Sequence, residues 1–131
     1  MLFRSDLQVA IAVLLVQVLR ADLAIRDEEL AAVVKAVEEV LLLDPEASVA
    51  LMRRAAHYAL HGEAMRVALQ RVDQHLTRAQ RLELVEWLWR IAFADSEIVA
   101  QEEYVVRKVS ETLGLSTADL IEAKVRAKEA L

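Results

Sequence analysis

Hydrophobic residues recur at three- and four-residue intervals along almost the whole chain, and this spacing predicts α-helices. The first such segment, residues 7–19, is apolar around its entire circumference, which is typical of a helix buried on most sides. It lies between Asp6 and Arg20 and is shorter than the roughly 20 apolar residues that a membrane-spanning helix needs. We therefore interpret it as a core helix, not as a membrane span or a signal peptide.

Start and stop signals divide the chain into about seven helices, at about 5–21, 27–41, 45–60, 63–76, 78–94, 100–113 and 117–130. Asp44 before Pro45 is a typical helix start, and Thr77 with Gln80 forms a capping box. Gly114 is a typical helix end. Because the chain has only two Gly and one Pro, the frequent turns of a β-protein are not expected. The predicted fold class is all-α.

An internal repeat organises these helices. A shift of 73 positions aligns residues 7–43 with residues 80–116 without a gap. Each copy contains an apolar helix, a turn that reads A-D-x-x-I-x-x-x-E and an amphipathic helix. The turn residues match at positions that helical periodicity does not constrain, so we favour duplication over a chance alignment. We predict one domain over residues 1–131, in which two helix-turn-helix units pack about an approximate twofold axis into a compact bundle.

Composition narrows the function classes. The formal net charge is −5, which argues against nucleic-acid binding, since that needs a basic surface. The absence of cysteine excludes disulfides, thiol catalysis and thiolate zinc sites. The sequence has no phosphate-binding Gly-rich loop and no convincing Ser-His-Asp order. We therefore expect a protein that is not an enzyme, and a hydrolase using paired carboxylates is the less favoured alternative.

The two turns carry the candidate site. Carboxylate clusters of this kind suit hard divalent cations such as Ca²⁺ or Mg²⁺, although the 12-residue EF-hand loop is missing. Carboxylates at a helix start also satisfy free N–H groups without any metal, and on spacing alone we favour capping. The expected cofactor is therefore a divalent cation, calcium or magnesium, or none. The candidate metal ligands are Asp22, Asp27, Glu29, Asp95, Glu97 and Glu102.

The helices between the two copies carry two further groups of polar side chains. His57 and His61 lie one helical turn apart, a spacing that can hold zinc, but no third ligand is obvious and a packed or solvated pair is favoured. Several arginines could bind an acidic partner or anionic lipid heads, with an ordinary solvated face as the default interpretation. These arginines are Arg53, Arg54, Arg66 and Arg71.

At its two turns the sequence resembles the TerB-like family of bacterial tellurite-resistance proteins. Proteins of that family typically read A-D-G-x-I-D-x-x-E at each of two turns, and the corresponding segments here are residues 21–29 and 94–102. Two further motifs match, W-x-x-A-x-A-D at residues 89–95 and L-G-L-S at residues 113–116. The resemblance covers nearly the whole chain, with its parts in the right order.

The turns also depart from the family pattern. The glycine of the family is replaced by Leu23 and Ser96, and its second aspartate by Arg26 and Val99. One oxygen ligand is thus lost in each copy, and Arg26 places a positive charge where a cation should bind. The neighbouring carboxylates Asp27 and Glu97 are the candidate replacements.

The resemblance implies a helical domain of a tellurite-resistance or stress-response system, acting as a metal-sensing or adaptor module through its acidic turns. The alternative is a pure protein-interaction scaffold with a degenerate metal site, which would expose an apolar patch. We expect one of Trp87 and Trp89 to lie in the core. The other is expected either in this exposed patch or packed under the last helix. We expect a cytoplasmic protein with a protein partner and no nucleic acid. Peripheral association with membrane complexes, at the inner face of the membrane, and a homodimer are alternatives that stay open.

Overall fold

The computed structural model describes residues 5–20, 27–94 and 100–130, apart from the side chains of residues 5, 20 and 27–29. This part of the chain forms seven α-helices and no strand, which confirms the all-α prediction. The helices are α1 (Ser5–Arg20), α2 (Asp27–Leu41), α3 (Pro45–Tyr58), α4 (Ala64–His75), α5 (Arg78–Phe93), α6 (Ala100–Thr112) and α7 (Thr117–Glu129).

Local sequence signals define where the helices begin. The carboxylate of Asp44 accepts a hydrogen bond of 2.7 Å from the backbone N–H of Ala47, with Pro45 at the first helical position of α3. At the start of α5, the hydroxyl of Thr77 accepts from the Gln80 N–H at 3.2 Å, and the Gln80 side chain accepts from the Thr77 N–H at 2.9 Å. Both predicted caps are therefore confirmed.

The ends of α2 and α6 use one backbone motif but different residues. Gly114 follows α6 with φ of 73°, and the N–H of the next residue bonds back to the carbonyl of Ser110 at 3.1 Å. Leu42 follows α2 with φ of 55°, and the next N–H bonds to the carbonyl of Glu38 at 3.2 Å. A leucine in this left-handed conformation costs about 1 kcal/mol because of its Cβ, whereas glycine adopts it freely.

Helix α1 lies at the centre of the fold. It packs against α2, α3, α4, α5 and α6, and its apolar residues from Leu7 to Leu19 are buried, while Gln8 and Gln17 are half-buried. Its prediction as a core helix is confirmed. None of the helices in the described ranges has the length and apolar character needed to cross a membrane.

The two predicted copies contact each other in a reciprocal way. Helix α5 begins and ends 73 positions after α1, and α6 begins 73 positions after α2. Helix α1 packs on α5, α2 packs on α5, and α6 packs on α1. Each second helix therefore reaches the first helix of the other copy, as an approximate twofold axis requires. The superposition of residues 7–43 on residues 80–116 itself stays a prediction.

The remaining helices cover the two central ones unequally. Helices α3 and α4 both pack on α1, and α3 also contacts α2. Of the three helices α3, α4 and α7, only α7 packs extensively on α5, and it approaches through the small buried residues Ala123 and Ala127. The last helix therefore covers one side of α5.

Arg81 joins three helix ends. Its guanidinium donates to the carbonyl of Leu76 at 3.1 Å, to the carbonyl of Leu113 at 2.8 Å and to the carboxylate of Asp73 at 2.8 Å. Charged donors that satisfy terminal carbonyls stabilise helix ends. One side chain at the start of α5 thus holds the end of α4 and the end of α6 together.

Both tryptophans of α5 are buried. Trp87 is 5% exposed and Trp89 is 2% exposed, and the Trp89 ring stacks on Phe93 with centroids 6.0 Å apart. The Nζ of Lys124 in α7 lies 5.0 Å from the Trp89 ring, so the position under the last helix is confirmed. The expectation that an exposed patch includes a tryptophan is wrong, because α5 is covered by α1 and α2 as well as by α7.

Candidate functional site

In the sequence, the two acidic turns fall between α1 and α2 and between α5 and α6. Three predicted ligands, Asp22, Asp95 and Glu97, lie outside the described residues. Asp27 and Glu29 belong to the first turn of α2, where the backbone is described but their side chains are not. Glu102 is therefore the one predicted ligand whose side chain the described ranges include.

The helix starts place Glu29 and Glu102 at equivalent positions. Helix α2 begins at Asp27 and α6 begins at Ala100, so each glutamate is the third residue of its helix. The first turn of a helix exposes free N–H groups and the positive end of the helix dipole. A carboxylate is electrostatically favoured there, with or without a bound cation.

The side chain of Glu102 is completely buried, with 0% exposure. The adjacent Glu103 is half-buried, and its carboxylate forms an ion pair of 2.8 Å with Arg107 one turn later. Glutamate is almost never fully buried unless it is paired or coordinates a metal, because the charged form loses its hydration. The two neighbouring glutamates therefore have different surroundings: Glu103 lies at the surface, and Glu102 lies in the interior at the first turn of α6.

The family of the chain follows from comparison with known proteins. The sequence model of the family described as tellurite resistance protein TerB matches residues 8–125, from the first turn of α1 to the last turns of α7. The chain belongs to the TerB family. No curated protein and no solved structure matches it significantly. Membership shows a TerB-type helical domain, while tellurite resistance comes only from the name of the family.

Within this TerB chain, the described ranges contain no group of three or more His, Asp or Glu side chains that could hold a metal ion. His57 and His61 are exposed, and their ring centroids are 6.0 Å apart in an edge-to-face arrangement. The histidine pair therefore has no third ligand among the described residues.

The burial of Glu102 was not predicted, although the sequence carries a signal for it. Glu102 lies four residues before Val106 and seven before Val109, and both valines are fully buried. Residues at this spacing share one face of a helix, so the apolar face of α6 extends back to the glutamate. In the first copy, the residues at the positions of Glu102, Val106 and Val109 are Glu29, Val33 and Ala36. Val33 and Ala36 are also fully buried.

Proposed function

We propose that this TerB-family domain is a metal-sensing or adaptor module that binds a divalent cation, calcium or magnesium, at its acidic turns. The observation that carries the proposal is the complete burial of Glu102 at the first turn of α6. The proposal assigns no catalytic reaction to the domain. In this proposal the domain acts in the cytoplasm and binds a protein partner. The class of partners proposed includes membrane-associated complexes.

The chemistry of the turns supports a hard cation. Calcium and magnesium prefer oxygen ligands, which carboxylates supply. A divalent cation close to the corner favours a carboxylate that has been removed from water. The proposed ligand set is that of the sequence: Asp22, Asp27 and Glu29 in the first copy, and Asp95, Glu97 and Glu102 in the second.

The position of Glu102 links the turn to the core. Helix α6 packs on both α5 and α1, and Val106 on the same face as Glu102 is fully buried. A cation held at the corner therefore acts on a helix that contacts both copies. In this proposal, binding stabilises the orientation of α6, and a partner recognises the surface of that helix, where Tyr104 is 63% exposed.

A pure interaction scaffold is the second candidate function. It is favoured by the replacement of the second family aspartate by Arg26 and Val99, which removes one oxygen ligand from each turn. Exposed apolar side chains on the last two helices supply a surface for a protein partner: Tyr104, Ile121 and Val125. This function needs the fold but no cation.

Thermal melting with increasing Ca²⁺ or Mg²⁺ distinguishes the two functions. A cation that binds only the folded state raises the free energy of unfolding, by about 2.7 kcal/mol at one hundred times its Kd. We expect this rise in the unmodified chain and its loss in Glu102→Gln. Glu103→Gln is the matched control, because it removes a neighbouring carboxylate whose partner is Arg107 at the surface. A melting temperature unchanged by either ion would reduce the domain to the scaffold.

A further inference from the structure

A cleft of about 510 Å³ lies between α1, α3 and α4, with lining residues that are separate from the predicted acidic-turn ligands. Its volume falls within the roughly 300–1,000 Å³ of typical small-molecule sites. Helices α1 and α4 supply an apolar floor, while α3 and the turn that follows it supply polar side chains. The floor consists of Val9, Ala10, Val13, Val67 and Ala68.

Two arginines line this cleft from different helices, Arg54 from α3 and Arg71 from α4. Both are exposed, and neither guanidinium forms a hydrogen bond or an ion pair with another residue in the described ranges. Arg53, outside the cleft, is likewise without such a partner, whereas six arginines of the same ranges lie within 3.3 Å of a carboxylate oxygen, namely Arg66, Arg78, Arg81, Arg90, Arg107 and Arg126. The cleft therefore holds guanidinium groups available for an anion, in a chain whose net charge is −5.

Two carboxylates, those of Asp6 and Glu63, line the same cleft as the two arginines. Glu63 is engaged by Arg66 at 3.2 Å, and Asp6 accepts a hydrogen bond of 3.0 Å from the N–H of Leu7. The Glu63 side chain does not cap α4, and the first turn of α4 contains no acidic residue. His61 also lines the cleft.

We propose that this cleft binds a single-chain amphiphilic carboxylate, such as a medium-chain fatty acid. The carboxylate lies between Arg54 and Arg71, because guanidinium groups match its planar pair of oxygens. The aliphatic chain lies on the floor formed by α1 and α4, where burial of its methylene groups supplies affinity. The site uses none of the predicted metal ligands, so it is independent of the acidic turns.

Titration calorimetry on the full chain tests the proposal with three probes that share a ten-carbon tail: decanoate, 1-decanol and decyltrimethylammonium. The two charged probes are used below their micelle concentrations and 1-decanol below its solubility limit. We expect saturable one-to-one binding of decanoate and at least tenfold weaker binding of the neutral and cationic probes. Equal affinity for decanol and decanoate would overturn the role of the arginines. No heat with decanoate at millimolar concentration would overturn the site.

Matched variants locate the binding. Arg54→Met and Arg71→Met each remove a charged donor while keeping an apolar stem, and each should weaken decanoate binding about tenfold. Arg53→Met is the control, because Arg53 is an exposed arginine next to Arg54 that does not line the cleft. Equal effects of the three substitutions would overturn the assignment, since they would reduce it to net charge.

Two further measurements separate the cleft from a membrane surface. Val67→Phe fills the floor without changing any charge, so it should abolish decanoate binding while circular dichroism shows an unchanged helical content. Binding to vesicles of phosphatidylglycerol and phosphatidylcholine, without binding of monomeric decanoate, would overturn the cleft and assign the arginines to lipid headgroups. Retained decanoate affinity in folded Val67→Phe would also overturn it.

Discussion

The α1–α2 and α5–α6 hairpins share one pattern, an apolar helix followed by an amphipathic one, but their surroundings differ. Of the helices outside these hairpins, α3 and α4 pack on α1, whereas only α7 packs extensively on α5. The cleft beside α3 and α4 is lined by Arg54 and Arg71, whereas the cleft beside α7, of about 450 Å³, is lined by Trp89 and Lys124. The repeated hairpins thus build the shared core, and the covering helices make the two sides of the domain different.

The two copies differ in side-chain size at one equivalent buried position. The 73-residue shift relates Trp89 of α5 to Val16 of α1, and both are 2% exposed. Trp89 lies beneath Lys124 of α7, whose buried residues Ala123 and Ala127 are small. The same position is therefore buried in both copies with residues of different size.

The largest expected effect on stability comes from replacing Trp89 with the smaller residue of the first copy. Trp89→Val places the residue of the first copy in the second, and the cavity left behind should lower the free energy of unfolding by about 3 kcal/mol. Denaturant unfolding measures the loss. Trp89→Phe is the control, because it retains an aromatic ring beneath Lys124. A loss below about 1 kcal/mol for Trp89→Val would show that α7 closes over the space and that the size of Trp89 does not define this side.

Substitutions at the ends of α2 and α6 are expected to change the free energy of unfolding by an intermediate amount. Leu42→Gly should raise the free energy of unfolding by about 0.5–1 kcal/mol, because Leu42 has a positive φ and is 61% exposed. Gly114→Ala should lower it by about 1 kcal/mol, and a Cβ at this position meets no atom within 4 Å, so the cost belongs to the backbone. Thermal melting of both variants checks the opposite signs. Two changes of the same sign would contradict the equivalence of the two ends.

The smallest expected effect concerns two capping boxes, Thr77 with Gln80 at the start of α5 and Ser116 with Asp119 at the start of α7. They are expected to respond differently to pH. The backbone N–H of Ser116, together with Arg78 at 2.8 Å, holds the pKa of Asp119 below its ordinary value. This carboxylate therefore stabilises the fold above its unfolded-state pKa, and the contribution is lost as the pH falls through the lower folded-state pKa. The box at α5 uses Gln80, which does not titrate.

Melting curves of Asp119→Asn and Gln80→Ala across acidic pH test this difference. We expect the destabilisation by Asp119→Asn, measured against the unmodified chain, to be present near neutral pH and to disappear at strongly acidic pH. The effect of Gln80→Ala should stay constant over the same range. An Asp119→Asn effect that does not change with pH would show that the ionised carboxylate is not what stabilises the start of α7.

Local signals made much of the fold predictable. Asp44, Thr77 and Gly114 define helix boundaries through hydrogen bonds to residues close in the chain, so their effect does not depend on distant packing. The apolar pattern of α1 likewise predicted its burial. Leu30 shows the limit of such patterns, because it continues the apolar spacing of α2 and is nevertheless 39% exposed. Helical spacing predicts which residues share a face, but not how far a neighbouring helix covers that face.

The candidate site was predictable as a set of residue types, and less so as an environment. The repeated turn identified Glu102 among the carboxylates, but its complete burial depends on α6 packing against α1 and α5. The arginine-lined cleft was not predicted as a site. The sequence showed basic residues on two linking helices, and only packing selected Arg54 and Arg71 to lie beside an apolar floor from α1.

The sequence by itself determined the helices, their caps, the TerB motifs and the matched pattern of the two hairpins, because these depend on periodicity and on contacts between residues close in the chain. The tertiary structure decided that both tryptophans are buried, that Glu102 lies inside, and that two linking helices form a cleft on α1 while the last helix packs on α5. The physical reason is that burial and cavities arise between helices, from the combined shapes of side chains far apart in the chain.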